Sequence, residues 1–412
     1  MNCFEPGRIV VGPGPEWSPD GELQLREELG DDFEVLHDVG DILRANDVSI
    51  GEEFSKFKNR LPFVARVPEG SEETIAVKLR NDKFSRGRID VAVPDYLVRP
   101  SAVININNQN ILTAINSAKA NIAGSGCGSN CTIGIIDSGF DGSSSFASQG
   151  SVLRQLNARD PLNPGTSHGD ITGHGTLVTH IVHQIAPAAK IVPVKAFDTD
   201  GTLSDVLAGL YLAHAAGPCD VMNLSFSMSC DPDHCDVCNS PLEAAMNIKQ
   251  LKFFFQNFLD FAGDVILIAA AGNNRSKVAI PAAFEKVIAV GSYHFNTLAP
   301  VSAYNAVPSD RFILGPDGAK ILGEELASRP GLRQNDLLHG TSFSTAFVSG
   351  VAARIVCGLK GGPCPHGSHA KHFSRPGSSN SDMVLDELAQ KADRSWSGFD
   401  ASLHGLGQLR LN

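Results

Sequence analysis

Apolar positions along the chain fall into short runs separated by Gly-, Ser-, Asn- and Pro-rich turns, and the spacing inside each run predicts its element. Phe63-Val64-Ala65-Arg66-Val67 alternates as a strand does. Pro68-Glu69-Gly70-Ser71 reads as a turn, residues 72–80 have helical spacing, and Ile89-Asp90-Val91-Ala92-Val93 is again strand-like. The first sixty residues are acidic with little sustained periodicity, although Arg8-Ile9-Val10-Val11 and Phe33-Glu34-Val35-Leu36 could each be a short strand.

Beyond residue 100 strands and helices alternate. A helix is expected at Ile111–Ala120, and Thr132-Ile133-Gly134-Ile135-Ile136 reads as a buried strand. An apolar helix opens at Gly173-His174-Gly175-Thr176, followed by a strand at Lys190–Lys195 and a helix over Leu203–Ala216. Asp220–Phe226 and Asp264–Ala271 read as buried strands on either side of a helical stretch from Pro241 to Phe261. Another helix begins at Ser342, a Gly/Pro/His/Ser-rich loop covers 358–380, and a last helix runs over Asp382–Ala392. This alternation predicts an α/β fold: a mostly parallel central sheet between two layers of helices, preceded by a small α+β module. The expected division is an acidic leader without assigned role (1–60), a module with the shape of a folding and inhibitory propeptide (61–100), and a large catalytic domain (101–412).

Composition narrows the partners more than the chemistry. With 42% hydrophobic and 19% charged residues the chain is of ordinary globular type. A formal net charge of −11 disfavours nucleic acid or an anionic membrane as the main partner. No apolar run reaches the length needed to span a bilayer, and the N-terminal Met-Asn-Cys-Phe-Glu-Pro lacks the layout of a secretory signal, which points to the cytosol.

Three residues stand out chemically. A serine hydroxyl becomes a nucleophile only when a positioned base takes its proton, and that base needs a carboxylate to fix its tautomer. Asp137 ends a predicted strand, where parallel sheets gather functional groups, although Asp-Ser-Gly alone is as readily a turn. His174 sits between two glycines at the start of an apolar helix, better placed than His168 in a loop or His180 and His183 further along the helix. Ser342, in Gly340-Thr341-Ser342, opens a helix whose N-terminal N–H groups can stabilise an oxyanion; Ser344 and Thr345 are weaker alternatives, and a simple cap is the bland reading. Asn273 follows a buried run ending in Ala271-Gly272 and offers a side-chain amide donor. Ser225-Phe226-Ser227 ends another buried strand, whose backbone could pair with an extended peptide.

These segments, in the order Asp, His, Ser, resemble the subtilisin-like serine proteases. The likeness covers roughly residues 100–412. It implies a triad of Asp137, His174 and Ser342, an oxyanion role for Asn273, and a cleft lined by Ser225, Phe226, Ser227, Ala271 and Gly272. It also implies peptide-bond hydrolysis of protein or peptide substrates, and a propeptide around Val67–Gly70 and Pro94–Pro100 that acts as an intramolecular inhibitor and is removed somewhere after Pro100. No cofactor is needed for such chemistry; the family often binds calcium, for which no ligands are assigned. Ala346 and Phe347 replace the family's usual proline and histidine, and Ser227 a common glycine, so altered packing and a narrower groove are expected. A non-catalytic scaffold and an esterase remain alternative readings.

Nine cysteines complicate the picture. Without Cys3 in the leader, eight remain, an even number consistent with up to four disulfides and hence an oxidising, extracytoplasmic compartment. Cys230, His234, Cys235 and Cys238, or Cys364 with His366, His369 and His372, have some zinc-like spacing; no metal is assigned.

Overall fold

The computed structural model describes residues 3–18, 20–49, 57, 60–100, 127–142, 151–159, 169–228, 241–273, 278–294, 297–298, 302, 311–316, 340–362, 379–395, 399–400 and 404–409. The helix expected at Ile111–Ala120 lies outside them.

Strands β1 (Phe4–Pro13), β2 (Glu34–Asp38), β3 (Phe63–Arg66) and β4 (Ile89–Pro100) form an antiparallel sheet in the order β4-β1-β3-β2. With them go helices α1 (Gly21–Leu29), α2 (Val39–Ala45) and α3 (Glu72–Leu79). The expected boundary at residue 60 therefore falls inside one folded module. β1, from the supposed leader, lies between β3 and β4 and pairs with both. Those partners are far away in sequence, so no local pattern announced them.

The larger sheet is built from β5 (Thr132–Asp137), β6 (Leu156–Asn157), β7 (Lys190–Lys195), β9 (Val221–Leu224), β11 (Ile266–Ala270), β12 (Val287–His294), β13 (Thr297–Leu298), β14 (Phe312–Pro316), β15 (Ala392–Asp393) and β16 (Gln408–Leu409). Its order is β15-β16-β14-β12-β11-β9-β5-β7-β6, parallel except where β15 joins β16 and where β13 pairs with β12. Two further short strands, β8 (Gly201–Thr202) and β10 (Phe226–Met228), pair instead with β4.

Side chains alternate across this sheet as the strand period requires. Ile133 and Ile135 of β5, with Ile266 and Ile268 of β11, enter one core together with α4 (His174–Ile185) and α7 (Thr341–Leu359). Ile136, Leu267 and Ala269 enter the other with α5 (Leu203–Ala216) and α6 (Pro241–Ala262). A last helix, α8 (Asn380–Lys391), joins the first layer through Val384 and Leu388. α5 begins where the sequence reading put it because Thr202 and Asp205 form a reciprocal capping box. Contrary to expectation, α7 is long and apolar enough to cross a bilayer, at 19 residues and mean hydropathy 1.4. It is buried against the sheet and α4, where each Ile, Leu or Phe side chain removed from water contributes about 1.5–3 kcal/mol. Gly350 permits the close approach, since a Cβ there would lie 2.6 Å from Ile185 Cβ.

The N-terminal module has its own core on one face (Ile9, Val11, Phe63, Leu79). Its other face (Val10, Val91, Val93, Tyr96) merges with the core of α5 and α6. Polar groups fix the docking: Asn247 donates through Nδ2 to the Tyr96 hydroxyl (2.8 Å) and accepts at Oδ1 from Arg80 (2.7 Å), while Asn46 exchanges hydrogen bonds with the backbone of Asn157.

Cys127, Cys131, Cys219 and Cys357 are buried thiols outside any disulfide, so the even count of eight does not become four disulfides. Cys3, set aside with the leader, is the one among the described residues that is disulfide-bonded. Cys230, Cys235, Cys238 and Cys364, with His234, His366, His369 and His372, lie outside the described residues.

Candidate active site

β7 is added on one side of β5 and β9 on the other, so the order of the parallel sheet reverses between β5 and β9. The carboxyl ends of two such strands diverge into a crevice. Asp137 is the last residue of β5, and Ser225 follows β9.

Asp137 Oδ1 lies 2.6 Å from His174 Nδ1, both residues almost fully buried. The same oxygen accepts from the Ser138 backbone N–H at 2.7 Å. With Nδ1 directed at a carboxylate, the other ring nitrogen becomes the acceptor. His174 Nε2 is buried and has no hydrogen-bond partner among the described residues, nor has Asp137 Oδ2. The glycine after His174 is obligatory: a Cβ on Gly175 would stand 2.2 Å from Gly139 O and 3.2 Å from Asp137 Cβ. The backbone of α4 thus rests directly on the turn that carries Asp137.

Ser342 sits in the first turn of α7, which packs against α4, and the ring of the next residue, Phe343, is 5.8 Å from the His174 ring between centroids. Its hydroxyl donates to Ser225 O at 2.8 Å rather than to the imidazole. Ser225 Oγ in turn lies within donating distance of two acceptors, Ser342 O (2.9 Å) and Asn223 Oδ1 (2.8 Å), and its one proton is shared between them, linking the β9 end to the α7 start. Asn273 accepts at Oδ1 from the Thr341 N–H (3.0 Å) and hydroxyl (3.2 Å). Its carbonyl end is thereby committed to α7, and its NH2 is the donor end.

The other candidates separate by environment. His180 and His183 are buried in α4; burial and the neighbouring His183 press the His180 pKa down to about 4, and burial lowers that of His183. Thr345 donates back to Thr341 O within the helix (2.6 Å). His168 lies outside the described residues. Ala346 and Phe347, at the positions where packing changes were expected, are both core residues. Ala271 is buried with its N–H on Val290 O (2.9 Å), and Gly272 donates to Thr341 Oγ1 (3.1 Å). Both therefore hold the turn that presents Asn273.

Sequence reading missed Asp170. Its carboxylate accepts from Ser138 Oγ (2.9 Å), the Gly173 N–H (2.8 Å) and the Thr176 N–H (2.7 Å). It joins the Asp137 turn to the N-terminus of α4, whose four leading N–H groups need partners. Burial raises its pKa, the hydrogen bonds from Thr176 oppose this, and the charge of Asp137 adds to it. A clue was its spacing, four residues before His174 ahead of a glycine with no capping side chain.

The end of β4 runs antiparallel to β10, with Pro100 opposite Phe226, Arg99 opposite Ser227 and Val98 opposite Met228. On its other side it pairs with β8, Leu97 opposite Thr202 and Val98 opposite Gly201. Among the described residues no group of three or more His, Cys, Asp or Glu side chains could hold a metal ion.

Comparison with known proteins agrees with this geometry. The chain is 30% identical over 241 residues to a thermophilic serine proteinase of Bacillus sp. strain AK1, covering 54% of this chain and 51% of that protein. It is 25% identical over 240 residues to subtilisin E of Bacillus subtilis strain 168, covering 56% of each. The match thus spans about half the length of these curated relatives. Among solved structures, the epidermin leader peptide processing serine protease of Staphylococcus aureus superposes over 99% of this chain and 98% of its own with a TM-score of 0.62, at 16% identity, a likeness of fold alone. The sequence model described as the subtilase family matches residues 128–361, more than half of the chain and the whole span from the start of β5 to the end of α7. On that match, the chain belongs to the subtilase family.

Proposed function

We propose that the chain is a serine endopeptidase whose own N-terminal module is its intramolecular inhibitor. The observation that carries this reading is the buried 2.6 Å contact of Asp137 with His174 Nδ1, which leaves Nε2 as an acceptor beside the helix that bears Ser342. In this reading Ser342 Oγ turns from Ser225 O to Nε2. The imidazole takes the proton as Oγ attacks the carbonyl carbon of the scissile bond, and Asp137 stabilises the resulting imidazolium. The Asn273 NH2 and the Ser342 N–H donate to the oxyanion, each such donor being worth about 10²–10³ in rate. Nε2 then protonates the leaving amine, giving an acyl-enzyme on Ser342. Water, deprotonated by the same nitrogen, releases the acid.

The module's role is supported by β4, which fills the space between β8 and β10 as an added strand would. In this reading release follows self-cleavage beyond Pro100. A fluorophosphonate probe tests the chemistry: it should label the wild type and fail to label Ser342→Ala. Chain length over time tests self-processing, with the wild type shortening and Ser342→Ala persisting. The hydrogen bond from Ser342 to Ser225 O favours a second reading, a non-catalytic scaffold. Failure of the wild type to label after removal of the module would establish it.

A further inference from the structure

The end of β4 is held between two strands of the catalytic domain in the manner of an extended peptide, so what faces its side chains describes what the cleft selects. Successive residues of a strand point to opposite faces. Val98 is buried, whereas the neighbouring Arg99 is partly exposed and its Nε is hydrogen-bonded to Asp200 Oδ1. Asp200 immediately precedes β8, the strand that pairs with Leu97 and Val98, so its carboxylate is fixed relative to the peptide backbone. The nearby Asp198 is engaged elsewhere, with Lys195 at 2.7 Å and with Arg159. Asp200 meets Arg99 directly.

Resting on the reading above that β4 occupies the substrate cleft, we propose that Asp200 is a specificity residue. It selects a basic side chain on the substrate residue that pairs with Ser227, with an aliphatic residue before it opposite Met228. The position can be counted. Ser225, whose carbonyl holds the Ser342 hydroxyl, lies two residues before Ser227 on the antiparallel partner, so a substrate residue opposite it lies two after the selected one. The basic residue is therefore the third on the N-terminal side of the scissile bond. The preferred substrates are extended peptides of the pattern aliphatic-Arg/Lys followed by two residues and the cut.

Arg99 and Asp200 are each somewhat under half exposed, and such pairs couple weakly, so discrimination of about two- to fivefold is expected rather than an absolute requirement. The test is cleavage of three peptides identical except for Arg, Gln or Glu at that position. Wild type, Asp200→Asn and Asp200→Lys proteins would be compared, with kcat/KM measured at low salt and cut sites mapped by mass spectrometry. The expected order is Arg over Gln over Glu for the wild type, no order for Asp200→Asn, and a reversed order for Asp200→Lys. A wild type indifferent to the residue, or an Asp200→Asn protein with the wild-type order, overturns the proposal. If the wild type cuts none of the peptides and also fails to label with the fluorophosphonate, the endopeptidase reading itself has failed, and this proposal with it.

Discussion

The carboxylate of Asp95, on β4, accepts hydrogen bonds from both the backbone N–H (2.9 Å) and the hydroxyl (2.8 Å) of Ser204, in the first turn of α5. The N-terminal module thus supplies a carboxylate to a helix N-terminus of the subtilase domain, where the helix dipole favours it. Asp95 is fully buried, and Arg8 Nε of the same module lies 3.3 Å from the Oδ2 that accepts the Ser204 hydroxyl. Asp95→Ala should loosen the module by about 1.5–3 kcal/mol, the value of hydrogen bonds to a charged group. In a Ser342→Ala background, which prevents self-cleavage in the proposed mechanism, the check is a lower urea midpoint and faster proteolysis within residues 4–100. Unchanged protection would mean that apolar packing alone holds the module.

Next to this contact, burial and the charge of Asp95 push the Asp205 pKa up to about 7, against the pull of Arg8, Arg159 and the Thr202 hydrogen bond. Below about pH 4 Asp205 is protonated whether the chain is folded or not. Between about 4 and 7 the unfolded chain loses this proton while the folded chain keeps it, so its contribution to stability falls as pH rises. Above about 7 both states are ionised and the slope ends. Asp205→Asn has no proton to lose. Its stability relative to the parent should therefore climb from about pH 4 to 7 and then level off, at up to ~1.4 kcal/mol for each unit of pKa displacement. Urea midpoints of the pair at about pH 5 and pH 8 measure it, and a constant difference would contradict the assignment.

Gly175→Ala tests the contact between α4 and the Asp137 turn. The added methyl would meet Gly139 O at 2.2 Å, and backbone cannot step aside as a side-chain end can. Overpacking of this kind typically costs about 1–3 kcal/mol. Because the displaced atoms flank both Asp137 and His174, fluorophosphonate labelling should fall by more than the stability loss explains. Thermal unfolding and labelling rate, measured on the same preparation, separate the two effects.

Asp170→Ala would leave the Ser138 hydroxyl and the N–H groups of Gly173 and Thr176 without their acceptor. Each buried orphan costs about 1–3 kcal/mol, partly recovered by entering water. A loss of about 2–4 kcal/mol is expected, together with slower labelling of Ser342, since the α4 start that carries His174 would fray. Normal hydrogen-exchange protection of the first turn of α4 in this variant would argue against the role given to Asp170.

How much of this could be read from the chain depended on the range over which each residue acts. Lys190–Lys195 and Leu203–Ala216 came out at the residues predicted, because a buried strand is a short apolar run and Thr202 with Asp205 marks the start of its own helix. The positions of Asp137, His174 and Ser342 at the ends or starts of elements were legible because each lies amid small residues. The unity of residues 4–100 was not, since β1 meets β3 and β4 only after the chain has folded back. Asp170 looked like a loop residue because its value comes from Ser138, a neighbour in space. That Cys127 and Cys357 share a small buried cluster as thiols and not as a disulfide is likewise a fact of packing that counting cysteines cannot supply.

Asn273 offers a separation of structure from chemistry, because its two ends have different tasks. Oδ1 holds the start of α7 through the Thr341 N–H and hydroxyl, and the NH2 is the proposed oxyanion donor. Asn273→Asp keeps an acceptor for Thr341 but replaces the donor with a carboxylate oxygen, which would repel the developing charge. Asn273→Ala removes both ends. Both variants should lose at least about 10²–10³ in kcat with little change in KM, since the donor acts on the transition state. Only Asn273→Ala should also lose stability, by about 1–2 kcal/mol, for the orphaned Thr341 groups. If Asn273→Asp kept its rate, the oxyanion role would be wrong; if Asn273→Ala kept its stability, the Thr341 anchor would be dispensable.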